Sequence, residues 1–424
     1  MKKVIQLSLL VSCLVSILLA EGEHRDRLHS VKEAIGSVSK VQQKELDLVD
    51  GFAHMFEDGK VTGQVRSMYS GVNYTNAQDI YATAIGGFLK YELAQYKGFS
   101  AGVEFVTSQD LDFVSGDGLK RDPNLSSLDG DYTQVSEVYL DYKYDTFHFR
   151  GGRQSIETPL ADSDDIRMVA NSFEAYIADY EVSNFSFQAG YLVAWQGSDA
   201  GLEDPWSTTG KDGTYLAGVS YSNALIDASL WYYNINGESG DGVANNSYYG
   251  DIVGHYHITK DIFVHAGLQY LQQDELDKSG VSSSIYGATT ELVVYNLGLN
   301  IAYNKASKRQ GKQSFSGFGG GTLFTNMDSM ILDAITVDRE ADAVVAGVSY
   351  ELGDFNFLYA YGDFKGDVDS NGVKEHIVEQ NVGISYEHND FTLGAIYTQD
   401  DDKEDTLSND GDWNNIRVLL AYNF

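Results

Sequence analysis

Three groups of residues in this 424-residue chain have the types and spacing to do chemistry. The stretch 147–176, FHFRGGRQSIETPLADSDDIRMVANSFEAY, sets Arg150, Arg153 and Arg167 among Asp162, Asp164 and Asp165. Guanidinium groups and carboxylates at that density either sort charged solutes at a narrow place or neutralise one another as ion pairs. The second group is His255, His257 and His265. Facing imidazoles can share a divalent transition metal or change charge within physiological pH. A metal site also needs a third ligand and oriented outer partners, so the plain reading is polar side chains on a wet wall, with no metal assigned. The third group, Asp367-x-Asp369-x-Asn371-Gly372, copies the first half of a calcium loop, but its twelfth position is Val378 and not Glu. Solvated loop is the better reading. The run GFGGG at 317–321 lacks the Lys-Ser/Thr and the helix of a phosphate loop. No Ser/His/Asp arrangement stands out by spacing, so an enzyme is not expected and no cofactor is implied.

What positions these groups is alternation. At 413–424 (WNNIRVLLAYNF), Ile416, Val418, Leu420, Tyr422 and Phe424 take one parity and Arg417, Leu419, Ala421 and Asn423 the other. Successive side chains of a strand point to opposite faces, so one face is wholly apolar and aromatic. The same pattern runs from Lys60 onward. Tight two-residue links (Asp145-Thr146, Ser183-Asn184, Gly353-Asp354, His388-Asn389) alternate with long links rich in Asp, Gly, Ser and Asn at 110–131, 197–212, 236–246 and 308–341. About eighteen strands, short turns at one end and long loops at the other are the pattern of a transmembrane antiparallel β-barrel, an all-β fold. Val138, Leu140, Tyr142, Tyr144, Phe147 and Phe149 share the outward parity. So do Phe185, Phe187, Tyr191, Val193 and Trp195, and likewise Phe355, Phe357, Tyr359 and Tyr361. Inward positions such as Glu137, Asp141, Lys143, His148 and Arg150 are polar, which predicts a wet lumen.

The N-terminus reads as a signal peptide over 1–20, with Lys2 and Lys3 before an apolar run that ends at Ala20. Cys13 lies inside that run, so cleavage after Ala20 leaves no cysteine. Residues 21–59 read as a short helical segment before the barrel, with Leu28, Val31, Ile35 and Val38 at three- and four-residue steps. The barrel takes 60–424. There are 43 Gly, 29 Tyr and 20 Phe but only 3 Pro, and the formal charge is -33. Tyrosine and phenylalanine suit pleated surfaces and membrane girdles. Strong acidity excludes nucleic acid as a partner, because phosphate binding needs clustered Lys and Arg. The partners expected are outer-membrane lipid and small hydrophilic solutes, and the chain acts as a monomer or homotrimer in the bacterial cell outer membrane.

The GRQ run, the T-P step and the S-D-x-R segment within 147–176 resemble the OprD-type (Occ-type) family of outer-membrane porins. GQVRSMYS, YELAQYKGFSAGVEF and GGGTLFTNM resemble it too, over roughly 60–424. FEAY stands where that family usually shows Phe-Glu-Gly. The resemblance implies an eighteen-stranded pore whose third external loop, 154–172 here, folds inward as a constriction, with Arg153 and Arg167 on matching motif positions. It also implies a basic ladder that guides carboxylates, opposed by an acidic patch. Parity adds inward Arg66, Lys90, Arg150 and Arg417, and a cross-strand Asp141–Arg150 pair. A three-residue turn at 259–261 would pair Ile258 with Ile262 and set His255 opposite His265. Inward acids outnumber inward bases, which predicts a cation preference. The function expected is passive, charge-selective diffusion of small solutes. A barrel hydrolase or an adhesin with active external loops is the alternative.

Overall fold

The computed structural model describes residues 51–123, 125, 131–202, 206–319, 321–404 and 412–424. The expected signal peptide and most of the 21–59 segment lie outside the described residues; residues 51–57 form a helix. From there eighteen antiparallel strands close into one barrel. They are β1 (Lys60–Tyr74), β2 (Ile80–Glu92), β3 (Phe99–Asp110), β4 (Asp131–Tyr144), β5 (Phe147–Gln154) and β6 (Ser172–Val182). Next come β7 (Phe185–Gln196), β8 (Thr214–Ser222), β9 (Ile226–Ile235), β10 (Asn245–Thr259), β11 (Ile262–Glu275) and β12 (Ser283–Val294). The last six are β13 (Leu297–Ala306), β14 (Ala341–Leu352), β15 (Phe355–Gly366), β16 (Glu375–His388), β17 (Phe391–Asp402) and β18 (Trp413–Asn423). Pairing of β1 with β18, from Gln64↔Asn423 to Tyr74↔Trp413, removes the free edge.

Backbone conformation at the tight links explains their length. Asp145, Ser183, Tyr295, Gly353 and Asn389 each open a two-residue link at φ between 52° and 62°. A residue in this left-handed region of φ gives the turn a backbone twist that matches the right-handed twist of the flanking strands. One link differs from expectation by a residue: it is Asn389 and Asp390, because His388 still pairs with Phe391. Another departs in kind. Instead of a three-residue turn, Lys260 and Asp261 form the link, Thr259 pairs with Ile262, and the extra residue becomes a bulge at Ile258. One residue moved from turn to strand leaves the count unchanged, so His255 still faces His265.

The outer face is apolar and aromatic, with Leu140, Tyr144, Phe147, Phe187, Leu268 and Tyr361 among its exposed side chains. Trp195 corrects the sequence reading. A bulge at Val193 resets the parity of β7, so Trp195 pairs with inward Phe173, their rings stacked at 5.9 Å, and touches Phe318 at 5.7 Å. The expectation of a wet lumen is also only partly right. At the long-loop end, inward Phe173, Leu192, Ile235, Leu271, Ile285 and Phe364 are fully buried against loop residues Leu160, Phe318, Leu323, Leu332 and Ile335. Loops 155–171 and 307–340 fill that part of the barrel with an apolar core. Hydrophobic burial therefore holds the loops inside, where expectation had placed only polar walls.

Candidate functional site: a luminal waist built by two loops

The two loops meet each other as well as the wall. In loop 155–171, Glu157–Thr158 pairs with Ala161–Asp162. Phe318 of the other loop donates its N–H to Leu160 O at 2.9 Å and accepts from Asp162 N–H at 3.0 Å. Gly317 permits this approach: its φ is +105°, and a Cβ there would lie 2.9 Å from the Leu160 backbone. Met168 and Val169 continue the contact, packing on Met68, Ala82 and Val106 of β1–β3. Loop 155–171 is thus sewn across the lumen from both sides.

Charged groups line what remains. From β1, the buried Arg66 grips Asp165 with two hydrogen bonds, 2.6 and 2.7 Å, and donates to the Arg167 carbonyl at 2.6 Å. From β18, Arg417 pairs with Asp328 of loop 307–340, which also accepts from Thr398 at 2.5 Å. Glu379 of β16 secures the same loop, accepting from the Ser329 and Met330 N–H groups at 3.2 and 2.6 Å. Arg167 is different. No carboxylate among the described residues lies within ion-pair distance of its guanidinium, and burial, followed by the charge of Arg417, lowers its pKa. Asp162 and Asp164, on the same loop, shift the other way. Burial, with Glu157 for Asp162 and Asp199 for Asp164, raises both aspartates above the ordinary carboxylate range. Asp199 itself accepts from Asn171 Nδ2 at 2.6 Å.

The remaining sequence candidates lie apart from this waist. Asp141 faces Arg150 across the β4–β5 ladder in a two-point pair of 2.7 and 2.9 Å, and the guanidinium stacks on Tyr139 at 3.8 Å. His148 lies 3.0 Å from Asp141 and 3.4 Å from Asp179, so this wall is internally neutralised. Arg153, expected in the constriction, does not join it. It shares the outward parity of Phe147 and Phe149, pairs with Val138 and Glu174, and stacks on Trp206 at 4.3 Å. A motif position carried over from a family says nothing about which face a strand residue takes. His255 and His265 face each other at 4.7 Å between ring centres, nearly perpendicular. His255 Nε2 is 2.7 Å from Asp227 and His265 Nδ1 is 3.8 Å from Glu291. His257 stands apart over Phe263 at 5.6 Å. Among the described residues no three His, Cys, Asp or Glu are placed to hold a metal ion. The half calcium loop is a plain turn, with Asp369 Oδ1 accepting from the Asn371 and Val373 N–H groups, each at 2.8 Å.

Asp328, Asp199 and Glu379 are the waist residues that motif reading missed. Asp328 and Asp199 sit in loops where no periodicity marks a direction. Glu379 is legible by parity only as one more inward acid. Below the loop, toward the tight-turn rim, a cavity of about 650 Å³ is lined by Arg66, Lys90, Glu92, Glu104, Glu137 and Asp165.

No protein-family model and no curated protein matches the chain. Solved structures do. OccAB2 of Acinetobacter baumannii is 16% identical, with 88% of this chain and 99% of that chain covered at a TM-score of 0.75. OpdK of Pseudomonas aeruginosa, solved with vanillate, is 15% identical over 87% and 99% at 0.72. A BenF-like porin from Pseudomonas fluorescens Pf-5 is 14% identical over 87% and 99% at 0.74. Over nearly its whole length the chain has the fold of the OprD-type (Occ-type) porins.

Proposed function

We propose that this chain is an outer-membrane porin through which small hydrophilic solutes diffuse passively, sorted by charge at the waist. The observation that carries the reading is Arg167, which has no carboxylate within ion-pair distance among the described residues and feels the charge of Arg417, in a barrel interior that two inserted loops narrow. A purely structural cation would be paired, because an uncompensated buried charge is costly. An arginine left unpaired in a water-filled passage is available to a passing carboxylate, for which guanidinium geometry is suited. The neighbour solved with vanillate, itself a carboxylate, agrees with that class. The walls outside the waist are acidic, and an amino group would be stabilised there. Small carboxylates, amino acids among them, are therefore the proposed cargo. The fold neighbours give no support to a hydrolase or adhesin. Single-channel recording in a planar bilayer tests the proposal: steady ion-conducting steps, partly blocked by added small carboxylates and unblocked in Arg167→Ala, are expected. A folded, inserted protein without conductance would overturn it.

A further inference from the structure

At the tight-turn rim, the helix at 51–57 leaves part of its apolar surface uncovered. Its buried side is Gly51, against the Tyr96 ring, and Met55. The Met55 carbonyl accepts from Ala94 N–H at 2.9 Å, and the Phe56 carbonyl accepts from Tyr91 Oη at 2.7 Å. These bonds fix the helix against the end of β2 and the 93–98 link. Phe52 and Phe56, four residues apart and so on one helical face, remain 54% and 47% exposed. His54, Glu57 and Asp58 are exposed on the opposite side, with His54 Nδ1 3.6 Å from Glu57. A helix that binds its barrel by one narrow stripe and still presents two phenylalanines has a second partner.

The neighbouring surface indicates which partner. Tyr91 has the outward parity of Tyr81 and Ile85, and next to it stand Phe99, paired with Tyr142 at 4.7 Å between ring centres, and Leu140 and Tyr144, both exposed. Phe52 contacts Tyr96 at 6.1 Å, so the phenylalanine face continues the barrel's outer aromatic belt without a break. Lys97 lies over the other side of that chain of rings, its Nζ 4.6 Å from the Tyr96 centre, where a headgroup phosphate would meet it.

We infer that helix 51–57 is an interfacial anchor, lying in the headgroup layer of the leaflet at the tight-turn rim with Phe52 and Phe56 turned into the acyl region. Apolar rings below and charged residues above are the composition of a helix lying in a membrane surface. The inference rests on the reading of the barrel as membrane-spanning, and its test separates the two.

Full-length chain carrying Cys13→Ser is reconstituted into vesicles of phosphatidylethanolamine and phosphatidylglycerol, with single nitroxide labels at Phe52→Cys, Phe56→Cys, His54→Cys, Leu268→Cys and Ser370→Cys. Collision with oxygen, which partitions into lipid, is compared with collision with a water-soluble nickel chelate. The oxygen-to-nickel ratio is expected to be several-fold higher at 52 and 56 than at 54 and 370, and to approach that at 268. A label at Ala53→Cys keeps both phenylalanines; adding Phe52→Ser and Phe56→Ser is expected to move it several-fold toward nickel. Water-like ratios at 52 and 56 with a lipid-like ratio at 268 overturn the anchor alone. Shielding from both reagents overturns it too, as a protein contact. A water-like ratio at 268 overturns the membrane reading and the anchor with it.

Discussion

Arg167 and Arg66 are neighbours with opposite consequences. Arg66 completes two hydrogen bonds to Asp165, so Arg66→Ala leaves that carboxylate without its partner and costs about 1–3 kcal/mol of loop seating. Burial and Arg417 disfavour the charge of Arg167 while Asp122, Asp328 and Asp199 favour it, so Arg167→Ala is expected to change loop stability little. Its effect falls on ions instead. One charge facing an aqueous passage changes the chloride-to-potassium permeability ratio by roughly threefold, and the reversal potential in a KCl gradient is expected to move toward potassium. For Asp162 and Asp164 the folded pKa lies above the unfolded one. Their contribution to loop stability is complete below the unfolded value, about 4, and is lost as pH rises through the raised values. Hydrogen exchange over 159–166, corrected for intrinsic rate, is expected to show stronger protection at pH 4 than at pH 7. Asp338 has the reverse sign. Its hydrogen bonds from Ser370, then from the Gly311 N–H at 2.6 Å, lower its pKa to about 2, so that tie is lost only as pH falls through about 2. The His255–His265 pair, lacking a third metal ligand among the described residues, is expected to leave conductance unchanged when micromolar zinc is added.

At the scale of elements, the walls were legible and the plug was not. Strand number and pairing followed from period-two alternation and from two-residue links, because a tight turn fixes register with no further information. That is why Asp141 could be set against Arg150 from spacing alone, whereas His255 came opposite His265 only because the residue lost from the expected turn reappears as the bulge at Ile258. Two bulges escaped. Nothing in the residues around Val193 announces that parity resets before Trp195, and Ile258 is chemically indistinguishable from its regular neighbours. The loops escaped for another reason. Ile156, Leu160, Phe318, Leu323 and Ile335 are spread irregularly among Gly, Ser and Asp, so they read as solvated links. A signal existed in the walls. Leu192, Ile235, Leu271 and Ile285 are apolar on the inward parity in the half of each strand nearest the long loops. A barrel whose inward face turns apolar at one end has something folded into that end. Removing residues 161–169 takes out the contact with Phe318 and is expected to raise single-channel conductance in protein that still assembles. Gly317→Ala, which forces a Cβ against Leu160, should produce a milder rise with noisier open levels. Unchanged conductance in folded variants of both kinds would place the loops outside the current path.

For the whole molecule, charge is the dominant quantity. With a formal charge of -33 and long links rich in Asp, the summed field is expected to favour cations, against the local field of Arg167 and Arg417. The expected reversal potential in a KCl gradient is cation-selective at low salt. It should weaken as salt rises, since screening within about 8–10 Å removes the mouths' field before that of the enclosed waist. Strong chloride preference at all salt concentrations would show that the arginines outweigh the walls. The seam where β1 meets β18 has a consequence of another kind. Asn415 donates to Ser70 Oγ at 3.0 Å, a bond between residues 345 positions apart. A chain without β18 cannot make that seam and exposes a bare strand edge. Sealing brings together strands from the two ends of the barrel sequence, and contacts of such separation carry the largest loop-closure cost in the fold.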